Sequence, residues 1–213
     1  MRVRDIARLV TSAVATLAVF AAGAAQAGGG LLGLDHYVPL DDQGIWARKN
    51  QLLLIDTLLV GETVAALWAG GETRFGRTMW KSIDATVVGG AVAQGMKLAF
   101  SRKRPSDTMD PNQWFQGDGY RSFPSGEVTI VSAIVTPVIL EYRRDHPAVY
   151  ALELLPVYDA IGRVKVHGHW QSDVIAGFAL GTATGYFMQR RTRTPVVLSV
   201  MPHSIYVGLS KRF

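Results

Sequence analysis

Apolar positions recur at helical spacing in five stretches of this 213-residue chain. The first runs from Leu52 to Trp68, is interrupted by Gly61 and closes at Gly70-Gly71. The second spans Trp80 to Phe100 and carries small residues at Gly89, Gly90 and Gly95 that permit close packing. The third runs from Glu127 to Tyr142, with Pro137 predicting a kink. The fourth spans Ala148 to Arg163 around Pro156, and the fifth Trp170 to Gln189. In the fifth, Gly177-x3-Gly181-x3-Gly185 offers a smooth ridge to a neighbouring helix. Residues 101–123, with Pro105, Pro111 and Asp118-Gly119, predict a long polar loop, and loops of that length are mostly functional or disordered. Past the fifth helix, Pro195 to Met201 and Ser204 to Ser210 predict two short strands around Pro202-His203. With no strand–helix alternation and no fixed repeat, the pattern predicts an all-α bundle of five to six helices with a small C-terminal β-hairpin.

The ends divide further. Arg2, Arg4 and Arg8, an apolar run from Leu9 to Ala22 and the small-x-small Ala25-Gln26-Ala27 predict a signal peptide over 1–27. The expected organisation is then an irregular segment at 28–48, a helical domain at 49–193 and the hairpin tail at 194–213, exported to a periplasm. A last strand ending in Phe213 resembles those of outer-membrane barrels, but two strands close no barrel.

Composition narrows the function. With 48% hydrophobic and 18% charged residues, the chain suits one globular domain. It has no cysteine, which excludes disulfides and thiolate chemistry. The net charge is +5; three arginines against Asp5 in the first 27 residues leave +3 for the rest. That is too little for a nucleic-acid binder and compatible with an anionic substrate or membrane surface. A membrane-spanning helix needs ~20 mostly apolar residues. The stretch at 52–68 contains Asp56 and Glu62, and that at 80–100 contains Lys81, Asp84 and Lys97. The expectation is a soluble bundle or one attached peripherally to the inner or outer membrane. Its oligomeric state is not legible.

Candidate chemistry centres on Arg163 to Asp173. His169 and Asp173 are four residues apart at the head of the fifth helix, so they share a face. A carboxylate on one ring nitrogen fixes the tautomer and leaves the other as a nucleophile. Arg163 brings a planar fork suited to phosphate oxygens. Taken alone, these residues read equally well as a surface pair and an unrelated arginine.

Two further segments shift that balance: Lys97-x6-Arg104-Pro105, and Pro124-Ser125-Gly126-Glu127 opening the third helix. In order, the three pieces resemble the motifs of the type 2 phosphatidic acid phosphatase and vanadium haloperoxidase superfamily, over about Trp80 to Arg190. The resemblance implies a haloperoxidase-like helical bundle. It implies His169 as nucleophile, Asp173 as its partner, and a phosphate cradle of Lys97, Arg104, Ser125, Gly126 and Arg163. It implies no metal and no cofactor, with vanadate as a phosphate mimic. The expected substrate is a phosphorylated small molecule or lipid headgroup.

Two residues depart from the pattern: Gly162 stands where it has Ser, and Glu127 where it has the His that protonates the leaving oxygen. A carboxyl surrounded by lysine and arginines should stay ionised and unable to donate. The expected function is hydrolysis of a phosphomonoester or lipid (pyro)phosphate through phosphohistidine, either weakened by Glu127 or biased by it toward good leaving groups. The alternatives are a non-catalytic phosphate-binding or envelope structural protein, and a vanadium haloperoxidase. Among the remaining residues, His167 reads as structural or exposed. Trp114, Phe115 and Tyr120 read as loop anchors or as an apolar wall for substrate.

Overall fold

The computed structural model describes residues 29–191, together with two backbone strands at 196–201 and 204–209. The signal peptide expected at 1–27 lies outside the described residues. Among the described residues five α-helices make the body: α1 (Arg48–Ala69), α2 (Arg74–Phe100), α3 (Gly126–Tyr142), α4 (Leu154–Lys165) and α5 (Gln171–Arg190). The strands, β1 (Val196–Met201) and β2 (Ser204–Leu209), pair antiparallel with Val196 opposite Leu209.

Helices α2, α3 and α5 pack on one another, α1 lies along α2, and α4 lies against α3 and α5. The close pair is α3 with α5, and the glycine ridge explains it. A Cβ at Gly177 would fall 2.5 Å from the Ser125 carbonyl, and one at Gly181 2.2 Å from the Thr129 carbonyl. Only bare backbone lets the start of α3 settle onto the first turns of α5, where both site motifs begin. Val128, Ala160, Val174 and Phe178 fill the core beside that junction.

Two boundaries differ most from the sequence expectation. Helix α2 starts at Arg74, six residues earlier than Trp80. Thr73 caps it by accepting the Gly76 N–H at 2.9 Å. The stretch Ala148 to Arg163 is not one helix: residues Pro147–Glu153 form a 3-10 turn before α4 begins. Pro156 has no N–H and its ring displaces the carbonyl four residues back, so α-helix can begin only within a turn of it. Helix α3, by contrast, continues through Pro137.

The segment expected to be irregular is a strap. Residues 29–47 run across the site end of the bundle with two short 3-10 turns, and Arg48 already belongs to α1. The loop at 101–123 is likewise anchored, by Trp114 packed edge-on against Phe100 and Phe123. Phe115 stays exposed, and Lys103 sits over the Tyr120 ring.

Helix α1 touches the bundle by a narrow stripe of Gln51, Ile55, Glu62 and Ala66. Leu53, Val60, Val64, Leu67 and Trp68 face outward, Trp68 at 85% exposure. Among the described residues α1 is the one helix long and apolar enough to cross a membrane by length and composition.

Candidate active site

The site forms where the ends of four helices meet. The Arg163 carbonyl accepts the N–H groups of Gly168 (2.9 Å) and His169 (3.2 Å), folding the chain back between α4 and α5. The Arg163 side chain is thereby pressed under Gly168, where a Cβ would lie 2.3 Å from Nη2. The Ser125 N–H donates to the Asp173 carbonyl at 2.9 Å, docking the start of α3 on the start of α5. The stem of Lys97, from the last turn of α2, passes Gly126 and its ammonium donates to the Arg121 carbonyl at 2.8 Å. The three sequence motifs therefore meet in space.

His169 is 2% exposed, and its Nδ1 lies 3.6 Å from Asp173 Oδ2. Asp173 lies in the first turn of α5 while His169 stands two residues before that helix, outside the helical turn the sequence spacing predicts, and the contact is too long for a hydrogen bond. Burial, then the charges of Lys97 and Arg163, lower the imidazole to about 3 against the opposing pull of Asp173. The ring is therefore a neutral base across the physiological range. Asp173 is fully buried and accepts from Arg102 Nη1 (2.6 Å), Ser122 Oγ (2.5 Å) and the Trp170 N–H (3.0 Å). Burial pushes its carboxyl up, but His169, Arg102 and Ser122 outweigh that and hold it below the usual range.

Three cations converge. Burial and then the repulsion of Arg104 and Arg163 bring Lys97 down to about 8, against Asp173 and Glu127. Arg163 is buried with no partner for its Nε, and its Nη1 is 3.9 Å from Glu127. Ser125 is fully buried and precedes α3 in extended conformation, yet its Oγ makes no capping bond and has no partner at all. His169 Nδ1 is also unpartnered. Buried polar atoms without partners are costly and rare in native folds, and here three of them flank one helix N-terminus.

Glu127 is held by a residue the sequence did not flag. Arg48, at the start of α1, grips it with both guanidinium nitrogens, at 2.6 and 2.7 Å. Burial pushes the Glu127 carboxyl up, but Arg48 and Arg163 more than offset this and lower it, so it is ionised as expected. Asp159, one turn before Arg163 on α4, shares these surroundings. Burial and the Glu127 charge push it up to about 7, and neither of its oxygens has a partner.

The second unflagged element is Arg102, wholly buried. Beyond Asp173 it binds Asp35 (Nη2 to Oδ2, 2.6 Å), the Ser172 hydroxyl (2.8 Å) and the Pro111 carbonyl, and it lies 4.1 Å over the Trp114 ring. Asp35 in turn accepts the Ser172 N–H at 2.7 Å. His167 fastens the same strap: Nε2 donates to the Val38 carbonyl at 2.7 Å, so Nδ1 accepts from the Tyr37 hydroxyl at 3.2 Å. It is structural. Among the described residues no group of three or more His, Asp or Glu could hold a metal ion.

The model of the PAP2 superfamily matches residues 79–195, more than half the chain, and the chain belongs to that superfamily. Among curated proteins it is similar to the lipid A 1-phosphatase of Rhizobium johnstonii, 35% identical over 100 residues, which are 45% of this chain and 40% of that protein. The lipid A 1-phosphatase of Rhizobium etli is likewise 35% identical over 100 residues, 42% of its length. The chain thus spans about two fifths of the curated relatives it matches. No solved structure matches it. Asp35, Arg48 and Gln51 all precede the matched stretch.

Proposed function

We propose that the protein is a phosphohydrolase acting on a phosphate ester or anhydride carried by a lipid or small molecule. The observation that carries this reading is the set of buried, unpartnered polar atoms: Ser125 Oγ, Arg163 Nε and His169 Nδ1, beside Lys97 and Arg104. A phosphoryl group gives Ser125 and Arg163 the acceptors they lack. The names of the similar proteins favour a lipid-borne phosphate.

In the mechanism, His169 attacks phosphorus through Nε2 and the bond to the leaving oxygen breaks. The resulting positive imidazole is stabilised by Asp173 across Nδ1, a contact that shortens as charge develops. The Lys97, Arg104 and Arg163 cations and the N–H groups of the first turn of α3 stabilise the equatorial oxygens. Water then attacks the phosphohistidine, releasing phosphate and the free imidazole. Ionised Glu127 gives the leaving oxygen no proton.

Assays of p-nitrophenyl phosphate, an alkyl phosphate and an alkyl diphosphate test this reading. Wild type is expected to turn over the first and third faster than the second. Phosphate binding with no turnover of any of the three would leave only a binding role. Restoring the proton donor needs two changes, because the Arg48 guanidinium would repel a protonated imidazole. The Glu127→His/Arg48→Gln double variant is expected to gain about 10²–10⁴-fold on the alkyl phosphate, and Glu127→His alone much less. An equal gain for both would refute the account of Glu127.

The outward stripe of α1 is the proposed contact with lipid. Vesicles of mixed zwitterionic and anionic phospholipid should co-sediment the wild type and release Val64→Glu/Trp68→Glu. Unchanged sedimentation of the variant would remove α1 from that role.

A further inference from the structure

The two departures from the superfamily pattern are physically one change. Gly162, where the pattern has Ser, leaves room for Gln51 of α1: a Cβ there would lie 2.8 Å from Gln51 Nε2 and 2.9 Å from its Cδ. Gln51 is fully buried, donating from Nε2 to the Trp46 carbonyl at 2.8 Å and accepting from Arg48 Nη1 at 3.2 Å. Arg48 is thereby aimed at Glu127, the second departure. A serine at 162 would push Gln51 away and lose the aim of Arg48. A histidine at 127 would leave Arg48 without its anion.

The carboxylate of Glu127 lies between two guanidiniums. Arg163 is inside the pocket at 3.9 Å, and Arg48 is at the rim with its side chain 32% exposed. After its bonds to Glu127 and Gln51, Arg48 keeps its Nε–H and one Nη2–H without a partner among the described residues. Against Glu127, which stands where the superfamily pattern sets a proton donor for the departing oxygen, lies a fixed cation with free donors.

We propose that Arg48 is the leaving-group residue, binding a group that departs as an anion, and that it makes a phosphoanhydride the preferred substrate. This rests on the phosphohydrolase reading above. For a diphosphate carried on an organic group, the His169 Nε2–P bond forms at the terminal phosphorus and the bridging P–O bond breaks. The bridging oxygen leaves with its electron pair on the organic monophosphate. With a second phosphate pKa of about 6, that oxygen needs no proton near neutral pH. Arg48 meets the emerging charge with its free N–H groups, a bidentate match for phosphate. An alkoxide leaving group is far more basic, and a cation alone does not replace the proton it needs. Water then hydrolyses the phosphohistidine to inorganic phosphate.

The test compares kcat/KM of the full chain on an alkyl diphosphate, the matching alkyl monophosphate and p-nitrophenyl phosphate. Arg48→Met is expected to lose about 10²-fold on the diphosphate, the scale of one fixed transition-state donor. That loss should exceed its loss on p-nitrophenyl phosphate at least tenfold, and Arg48→Lys should recover part of the difference. Gln51→Ala keeps both partners of the ion pair and removes the bond that aims it, together with the Gln51 bond to the Trp46 carbonyl. It should show the same bias more weakly, and it carries the test if Arg48→Met does not fold. Equal losses on all three substrates, or none on the diphosphate, would overturn the proposal. Wild type and His169→Ala both inactive on all three would instead sink the phosphohydrolase reading itself.

Discussion

Replacing His169 with alanine is expected to reduce kcat by about 10⁴–10⁶-fold on every substrate the wild type accepts, the scale seen when a nucleophile is removed. The fold should persist, since His169 Nδ1 makes no hydrogen bond and the Asp173 carboxylate keeps its bonds to Arg102, Ser122 and the Trp170 N–H. Circular dichroism alongside the assay separates lost chemistry from lost structure. The pH profile carries a second, independent part of the expectation. With its pKa lowered to about 3, His169 is already the free base at any ordinary pH, so it contributes no acidic limb between pH 4 and 7. Lys97 does contribute an alkaline one. Its ammonium is charged below about 8 and neutral above, so kcat/KM should fall as pH rises past that point. Bound phosphate favours the ammonium, so the same limb should lie further up in kcat. Lys97→Met should flatten it at a lower level. A His169→Ala variant retaining a tenth of wild-type activity would place the nucleophile elsewhere. A profile level through pH 8 would remove Lys97 as a phosphate ligand.

What was legible in the sequence was local. His169 and Asp173 were legible as a pair, although α5 begins only at Gln171, so His169 stands two residues before the helix and Asp173 in its first turn; the glycine ridge of α5 is a spacing that only a close neighbour explains. That neighbour is α3, which carries Ser125 and Glu127, so one pattern also accounts for two of the three motifs meeting. The beginning of α2 was missed because Arg74, Gly76 and Arg77 look like loop. In the structure Gly76 is there because a Cβ would fall 1.8 Å from the Gly70 carbonyl, a contact no periodicity reveals. Residues 28–48 lack an apolar period, so the sequence predicts an irregular segment and gives no sign that Asp35 within it is fully buried. The partners of the site were illegible for a related reason. Arg48 reaches Glu127 across 79 residues of sequence, and Arg102 reaches Asp35 across 67. Charged pairs at such separations leave no spacing to read. Arg102 was further hidden in the run Arg102-Lys103-Arg104, where the motif claims only the last. An ionised acid expected at 127 does not by itself name Arg48, which no motif marks, as the residue that pairs with it.

Arg102→Met is expected to be the most destabilising single change in the chain. The guanidinium, Asp35 and Asp173 have no side-chain exposure, and each of the two carboxylates is 2.6 Å from an Arg102 nitrogen. Methionine fills much of the volume but leaves two buried anions facing each other's surroundings without a counter-charge. Breaking one buried pair from one side costs about 3–5 kcal/mol. For a domain of this size, that corresponds to a fall in Tm of roughly 6–20 °C. Asp35→Asn makes a graded comparison: it cuts the strap's charge contact yet leaves the Arg102–Asp173 pair, so its cost should be clearly smaller. Arg102→Lys should fall between, because one ammonium cannot reach Asp35, Asp173, Ser172 and the Pro111 carbonyl together. The effect on turnover follows from the same geometry. Arg102 holds Oδ1 of Asp173 while Oδ2 faces His169 at 3.6 Å, so losing it leaves the carboxylate held only at Oδ2, by Ser122 and the Trp170 N–H, and less firmly aimed at the ring. Measured well below the lowered Tm, kcat should therefore drop for Arg102→Met while KM changes little, since the proposed phosphate cradle of Lys97, Arg104 and Arg163 is untouched. A Tm within two degrees of wild type, or a loss confined to KM, would show that this buried charge network neither supports the fold nor orients the histidine.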